Sequence, residues 1–146
     1  MKVIFIDIDG VLNSSFGKGP YISDMEVEKL LLLKKLINES GAYGVVITSD
    51  RRYSQIDMAD KMKAFDEYEI FVVGEIRRPD EDDPEDNRGK QIMDYLTTTK
   101  DRIDKIAILD DIDDGISNLF HEDFVQTNRL YGLDEDIFNK TIELLK

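Results

Sequence analysis

Short apolar runs and longer stretches of helical periodicity alternate along the chain. The runs are continuous and rich in β-branched residues, which is typical of strands buried on both faces of a sheet. They predict strands over 3–6, 43–47, 69–73, 106–109 and 123–126. Between them, apolar residues recur at three- and four-residue spacing and predict helices over 24–40, 56–65, 87–97 and 134–145. Asp24 is the expected N-cap of the first helix and Gly41 the residue that stops it.

The alternation of strand and helix predicts the fold class. It favours a doubly wound α/β domain, in which helices cover both faces of a parallel sheet. With 146 residues, the chain has the length of one domain, and we expect residues 1–146 to form a single unit.

Polar side chains follow three of the predicted strands. In open parallel sheets, ligands bind beyond the carboxyl ends of the strands, so these side chains are expected at one edge. The residues are Asp7, Asp9 and Gly10 after the first strand; Thr48, Ser49, Asp50, Arg51 and Arg52 after the second; and Asp110, Asp111, Asp113 and Asp114 after the fourth.

Carboxylates that converge at one edge repel one another unless a cation binds among them. The chain has no cysteine and one histidine, so oxygen ligands dominate and Mg²⁺ is favoured over zinc or copper. Each acid taken alone is equally compatible with a helix cap or a turn. A calcium loop is excluded because its twelfth position is Lys18 when counted from Asp7, and His121 when counted from Asp110.

The excess of acidic over basic residues limits the classes of molecule that the protein is expected to bind. The 19 Lys and Arg against 32 Asp and Glu give a net charge of −13, which argues against extended, non-specific binding to nucleic acid or anionic membranes. The apolar runs are far shorter than the ~20 residues of a membrane helix. We therefore expect a cytoplasmic protein without membrane association.

The motifs taken in order resemble the haloacid dehalogenase (HAD) superfamily of aspartate-nucleophile phosphatases. The match begins with Asp7-Ile8-Asp9-Gly10 after a strand and continues with a strand that ends at Thr48-Ser49. A lysine on a later helix, Lys90, and the acidic pair Asp110-Asp111 complete the set. The four motifs span nearly the whole chain, and the resemblance implies a Mg²⁺-dependent phosphomonoesterase.

The resemblance also implies a role for each motif residue. Asp7 would be the nucleophile that forms an aspartyl-phosphate, and Asp9 would protonate the leaving oxygen and then activate water. Lys90 would steady Asp7 and screen its charge. Thr48 or Ser49 would bind a phosphate oxygen, with Thr48 favoured because it directly follows the apolar run. The implied magnesium ligands are Asp7, Asp9 through its backbone carbonyl, Asp110 and Asp111.

The substrate prediction comes from the short insertions and from Arg51 and Arg52. Neither insertion has room for a full cap domain, so an open site is expected. Arginine suits phosphate recognition, and the pattern from Thr48 to Arg51 resembles the HAD domains of RNA-repair proteins and polynucleotide kinase-phosphatases. A phosphorylated small molecule, a nucleotide or a nucleic-acid end is the expected partner. The alternatives are a metabolite phosphatase, a catalytically weak HAD-fold binding or regulatory module, and a receiver domain, whose motif order fits poorly.

Overall fold

A computed structural model describes residues 1–16, 21–22, 24–48, 55–76 and 85–146. No helix in these ranges has the length and apolar character needed to cross a bilayer. The elements in chain order are β1 (Lys2–Ile6), β2 (Tyr21–Ile22), β3 (Met25–Glu26), α1 (Val27–Ser40), β4 (Gly44–Ile47), α2 (Gln55–Glu67), β5 (Val72–Glu75), α3 (Arg88–Thr98), β6 (Lys105–Asp110), α4 (Ile116–Phe120), β7 (Phe124–Gln126) and α5 (Glu135–Leu144).

Five parallel strands form the main sheet, in the order β5-β4-β1-β6-β7. The chain adds strands first on one side of β1 and then on the other, so β1 pairs with β4 on one side and with β6 on the other. This arrangement confirms the predicted doubly wound α/β fold. It also brings the carboxyl ends of β1, β4 and β6 to the same edge of the sheet.

Alternating side chains of β1 point into two separate cores. Ile4 and Ile6 lie in the core that includes α1, α2 and α5, whereas Val3 and Phe5 lie in the core that includes α3 and α4. All four side chains are fully buried. The continuous apolar run in the sequence is therefore explained by burial on both faces.

The strand predicted over 69–73 begins three residues later, as β5. Glu69 adopts a left-handed conformation, with φ of 57°. The amide of Ile70 then donates to the carbonyl of Phe65 at 2.8 Å, so these residues close the end of α2 before the sheet begins. The side chain of Ile70 is buried in the core, which accounts for the apolar signal that the sequence shows there.

Asp24 is not the N-cap of the first helix. It has a φ of 66° and lies in a two-stranded hairpin, β2–β3, that the sequence did not predict. Helix α1 begins at Val27, and Gly41 ends it as predicted, with φ of 76°. Between β1 and β4, the helices and strands of the described residues are this hairpin and α1.

Candidate active site

Asp7 directly follows the central strand and is 4% exposed. Its amide donates to the carbonyl of Leu109 at 3.0 Å, which continues the pairing of β1 with β6 beyond the strand. Its carboxylate oxygen Oδ1 accepts a hydrogen bond from the amide of Ile8 at 2.9 Å. These contacts fix the backbone and the carboxylate of Asp7 at the edge of the sheet.

A tight turn follows Asp7, as the glycine predicts. The amide of Leu12 donates to the carbonyl of Ile8 at 2.8 Å, and Gly10 has a φ of 82°. Asn13 braces the turn, since its Oδ1 accepts from the amide of Gly10 at 2.9 Å and its Nδ2 donates to Asp9 Oδ1 at 3.0 Å. The half-buried carboxylate of Asp9 therefore has a defined position after the turn.

The acidic pair after β6 meets Asp7. Asp110 is 2% exposed and accepts from the amide of Ile112 at 3.0 Å. Asp7, Asp110 and Asp111 each offer a carboxylate oxygen, and these atoms lie within 4.8 Å of one another. The cluster brings together three of the four predicted magnesium ligands, and the fourth, Asp9, was expected to contribute its backbone carbonyl alone.

Two carboxyl groups of the cluster, Asp7 and Asp110, have raised pKa values. Burial, together with repulsion from Asp110, raises the pKa of Asp7 to about 8. Burial also raises the pKa of Asp110 to about 7. The guanidinium of Arg88 acts in the opposite direction on both pKa values. The charge of Arg88 therefore does not offset the effect of burial and repulsion on Asp7 and Asp110, and the site favours a further cation.

Among the described residues, Arg88 rather than the predicted Lys90 is the buried cation beside Asp110. Arg88 is 1% exposed, and its Nε lies 3.9 Å from Asp110 Oδ2. Lys90 is exposed two residues further along α3, and its Nζ donates to the carbonyl of Glu85. The structure thus does not bring Lys90 to Asp7. Sequence reasoning missed Arg88, although a basic residue in the first turn of a predicted helix was a usable signal.

The loop after β6 positions Arg88. Asp114 accepts hydrogen bonds from the first turn of α3, from the amide of Arg88 to Oδ2 at 3.0 Å and from the amide of Gly89 to its carbonyl at 3.0 Å. A Cβ atom at Gly89 would lie 2.3 Å from the carbonyl oxygen of Gly115, so only glycine permits this approach. The neighbouring Asp113 contacts α4 instead, since it accepts a hydrogen bond from the amide of Ser117 at 2.9 Å.

Thr48 ends the strand next to β1. Its amide donates to the carbonyl of Ile6 at 2.9 Å, which places Thr48 beside Asp7. The Thr48 hydroxyl is buried and has no hydrogen-bond partner among the described residues. A buried hydroxyl without a partner costs free energy unless a ligand supplies one. The other residues predicted on this loop, Ser49, Arg51 and Arg52, lie outside the described residues.

Two residues after β7 also contact the site, although no catalytic or binding role was predicted for them from the sequence. The Thr127 hydroxyl donates to the carbonyl of Gly10 at 2.8 Å and ties the turn after β1 to the end of β7. The Nε of Arg129 lies 3.9 Å from Asp111 Oδ2. The signal was present, because Thr127 directly follows a predicted strand of the same sheet.

A parallel sheet with aspartates at the ends of β1 and β6, and a threonine at the end of β4, defines the class as a HAD-type hydrolase domain. A family model described as the HAD domain in Swiss Army Knife RNA repair proteins matches residues 3–138. The chain therefore belongs to this family. No curated protein matches the sequence.

Proposed function

We propose that this chain is a Mg²⁺-dependent phosphomonoesterase that forms an aspartyl-phosphate on Asp7 and acts on nucleotides or nucleic-acid ends. One observation carries the proposal. The buried carboxylates of Asp7, Asp110 and Asp111 converge within 4.8 Å, next to a buried Thr48 hydroxyl that has no partner among the described residues. The carboxylates suit a cation, and the hydroxyl suits a phosphate oxygen.

The donor set fits magnesium. All the ligands are oxygens, as Mg²⁺ prefers. Burial raises the pKa values of Asp7 and Asp110, and repulsion from Asp110 adds to the shift at Asp7, so a cation bound among them would stabilise the ionised carboxylates. Asp7, Asp110 and Asp111 would hold the ion, together with the backbone carbonyl of Asp9. When bound, the ion supplies charge that offsets the repulsion between the carboxylates and a phosphate dianion.

The proposed reaction has two steps. A carboxylate oxygen of Asp7 attacks phosphorus, the bond to the ester oxygen breaks, and Asp9 donates a proton to that oxygen. Asp9 then removes a proton from water, whose oxygen attacks phosphorus and releases inorganic phosphate and the Asp7 carboxylate. The hydrogen bond from Asn13 to Asp9 and that from Ile8 to Asp7 support this assignment, because both hold a carboxylate in place.

Phosphate recognition is assigned to Thr48 and Arg88. The Thr48 hydroxyl donates to a non-bridging phosphate oxygen, and the buried guanidinium of Arg88 offsets charge shared by Asp7, Asp110 and the phosphate. Arg88 takes the part that the resemblance implies for Lys90. The participation of Lys90 and the choice of Thr48 over Ser49 stay predictions.

The nucleotide or nucleic-acid end is proposed as the substrate on two grounds. The family is that of HAD domains in RNA-repair proteins, and Arg51 and Arg52 follow the phosphate-binding strand. We predict that Arg51→Ala and Arg52→Ala lower kcat/KM for phosphorylated nucleotides or oligonucleotide ends by about tenfold to a hundredfold. They should have little effect on p-nitrophenyl phosphate. Equal losses on both substrates would contradict this role.

The experiment that tests the proposal is phosphate release with Mg²⁺ from p-nitrophenyl phosphate, nucleoside 3′- and 5′-monophosphates and phosphorylated oligonucleotides. Asp7→Asn should abolish release without affecting folding. Asp113→Asn is the matched control, because Asp113 is exposed on the loop after β6, outside the cluster, and asparagine also caps helices. No release above the Asp7→Asn background from any substrate would leave the alternative, a binding or regulatory module.

A further inference from the structure

A groove of about 730 Å³ lies between the loop after β1 and the loop after β7. Its size is that of a small-molecule site. Phe16 and Tyr131 line it, with side chains 60% and 53% exposed. Two large aromatic side chains left in solvent at the mouth of a groove indicate a surface that a ligand covers.

Backbone contacts join the groove to the active site. The amide of Ser15 donates to the carbonyl of Arg129 at 3.0 Å, and the amide of Phe16 donates to the carbonyl of Leu130 at 3.2 Å. The side chain of Arg129 lies against Asp111, with Nε 3.9 Å from Oδ2. Tyr131 is only two residues from Arg129, about 7 Å along the backbone. The same loop therefore contacts the acidic cluster and supplies one wall of the groove.

The charges of the groove select a neutral occupant. Glu28 and Asp134 line it, and its single lysine, Lys29, is buried, with Nζ donating to the carbonyl of Tyr131 at 2.5 Å. Two carboxylates against one buried ammonium disfavour a second phosphate. A flat, uncharged aromatic group with N–H donors fits both the rings and the carboxylates.

We propose that the groove holds the nucleobase next to the scissile phosphate, stacked on the exposed aromatic pair Phe16–Tyr131. The ring centroids are 6.0 Å apart with planes at 43°. A base between two rings needs about 7 Å, so the base stacks on an outer face of the pair. This inference rests on the proposed phosphatase function and specifies its substrate as a phosphorylated nucleotide or nucleic-acid end.

The test compares substrates with and without a base. Phe16→Leu and Tyr131→Leu keep bulk but remove the ring. Tyr131→Leu is expected to lower kcat/KM for nucleoside monophosphates and phosphorylated oligonucleotide ends by about tenfold to a hundredfold, mainly through KM, and Phe16→Leu, which removes the ring that packs against Tyr131, by a smaller factor. Neither should change hydrolysis of ribose phosphate or p-nitrophenyl phosphate. If kcat/KM falls for nucleoside monophosphates as well as for oligonucleotides, a single base is enough to occupy the groove.

The chain offers a matched control in a second exposed aromatic pair, Tyr43–Phe71, with ring centroids 5.1 Å apart. These residues precede β4 and β5, at the opposite end of the sheet from the site. Tyr43→Leu should therefore leave all substrates unaffected. Equal loss on all substrates in the groove variants, or no loss on any, would overturn the inference.

A binding measurement separates this inference from the proposed function. The chain has no tryptophan, so the fluorescence of a 2-aminopurine nucleoside monophosphate can be followed without interference. Stacking should quench it with wild type and with Asp7→Asn, but about tenfold or more weakly with Tyr131→Leu. If no phosphate is released but quenching depends on Tyr131, the catalytic proposal fails and the base site stands. If release occurs and quenching is the same in all variants, the base site fails.

Discussion

The assignment of Arg88, instead of Lys90, as the cation beside the acidic cluster gives the sharpest test of the site. The two residues lie two positions apart in the first turn of α3, yet Arg88 is buried against Asp110 and Lys90 is exposed. Arg88→Met removes the guanidinium and keeps the aliphatic bulk. Lys90→Met makes the same kind of change on the surface and serves as the matched control.

The magnitudes follow from burial. Removing one partner of a buried ion pair costs about 3–5 kcal/mol when the remaining charge is left without compensation, so this cost is expected above about pH 8, where Asp110 is ionised. An exposed lysine contributes within about 0.5 kcal/mol. In a domain of this size, about 2–4 °C of Tm accompanies each kcal/mol, so Arg88→Met should lower Tm by about 6–20 °C and Lys90→Met by about 2 °C or less.

Denaturant unfolding and thermal melts without metal measure these differences, and phosphate release measures the catalytic effect. Loss of a charge that stabilises the transition state typically costs about a hundredfold to a thousandfold in kcat. We expect that loss for Arg88→Met, a partial recovery for Arg88→Lys, and less than about threefold for Lys90→Met. A larger activity loss in Lys90→Met than in Arg88→Met would refute the assignment and restore the prediction made from the sequence.

Four further predictions concern the acidic cluster and Thr48 beside it. In the folded protein, Asp7 and Asp110 keep their protons up to pKa values of about 8 and 7, whereas in the unfolded chain they lose them near pH 4. The free energy of unfolding of the metal-free protein should therefore fall as the pH rises from about 4 to 8. Mg²⁺ affinity should rise over about pH 6–8 as those protons leave, and an affinity that is flat in calorimetric titrations across this range would contradict the pKa assignments. Gly10→Ala should weaken Mg²⁺ binding, because a Cβ there would lie 2.4 Å from Asp111 Oδ2 at a φ of 82°, and unchanged affinity would show that the turn adapts. Thr48→Val, which matches the shape but removes the hydroxyl, should raise KM for phosphate esters and preserve or increase Tm, whereas a fall in Tm would mean that the hydroxyl has a structural partner.

The sequence predicted the sheet and the carboxylates because both depend on local pattern. A buried parallel strand must be apolar on both faces, so the apolar runs in the sequence predicted β1, β4 and β6. Asp7 and Asp110 could be predicted at the edge of the sheet because each comes directly after such a run. Gly10 and Gly41 were also readable, since a positive φ favours glycine. These features need no knowledge of how distant segments meet.

The rest depended on contacts between segments far apart in the chain. Lys90 and Arg88 are both basic residues in one helical turn, and only the docking of α3 by Asp114 and Gly89 decides which of them is buried. Arg129 approaches Asp111 because the loop after β7 pairs with residues 15–16. The pattern of apolar and polar residues along the chain does not predict such contacts.

The sheet order has a consequence for the sequence of events in folding. Asp7 directly follows β1, whose neighbour on one side, β6, begins about a hundred residues later in the chain, at Lys105. Pairing β1 with β6 closes a loop of about a hundred residues, which is a slow, late event in a chain of this size. Asp7 therefore stays apart from Asp110 and Asp111 while the segment between them is made. They meet only when the burial of β1 between β4 and β6 can oppose their repulsion.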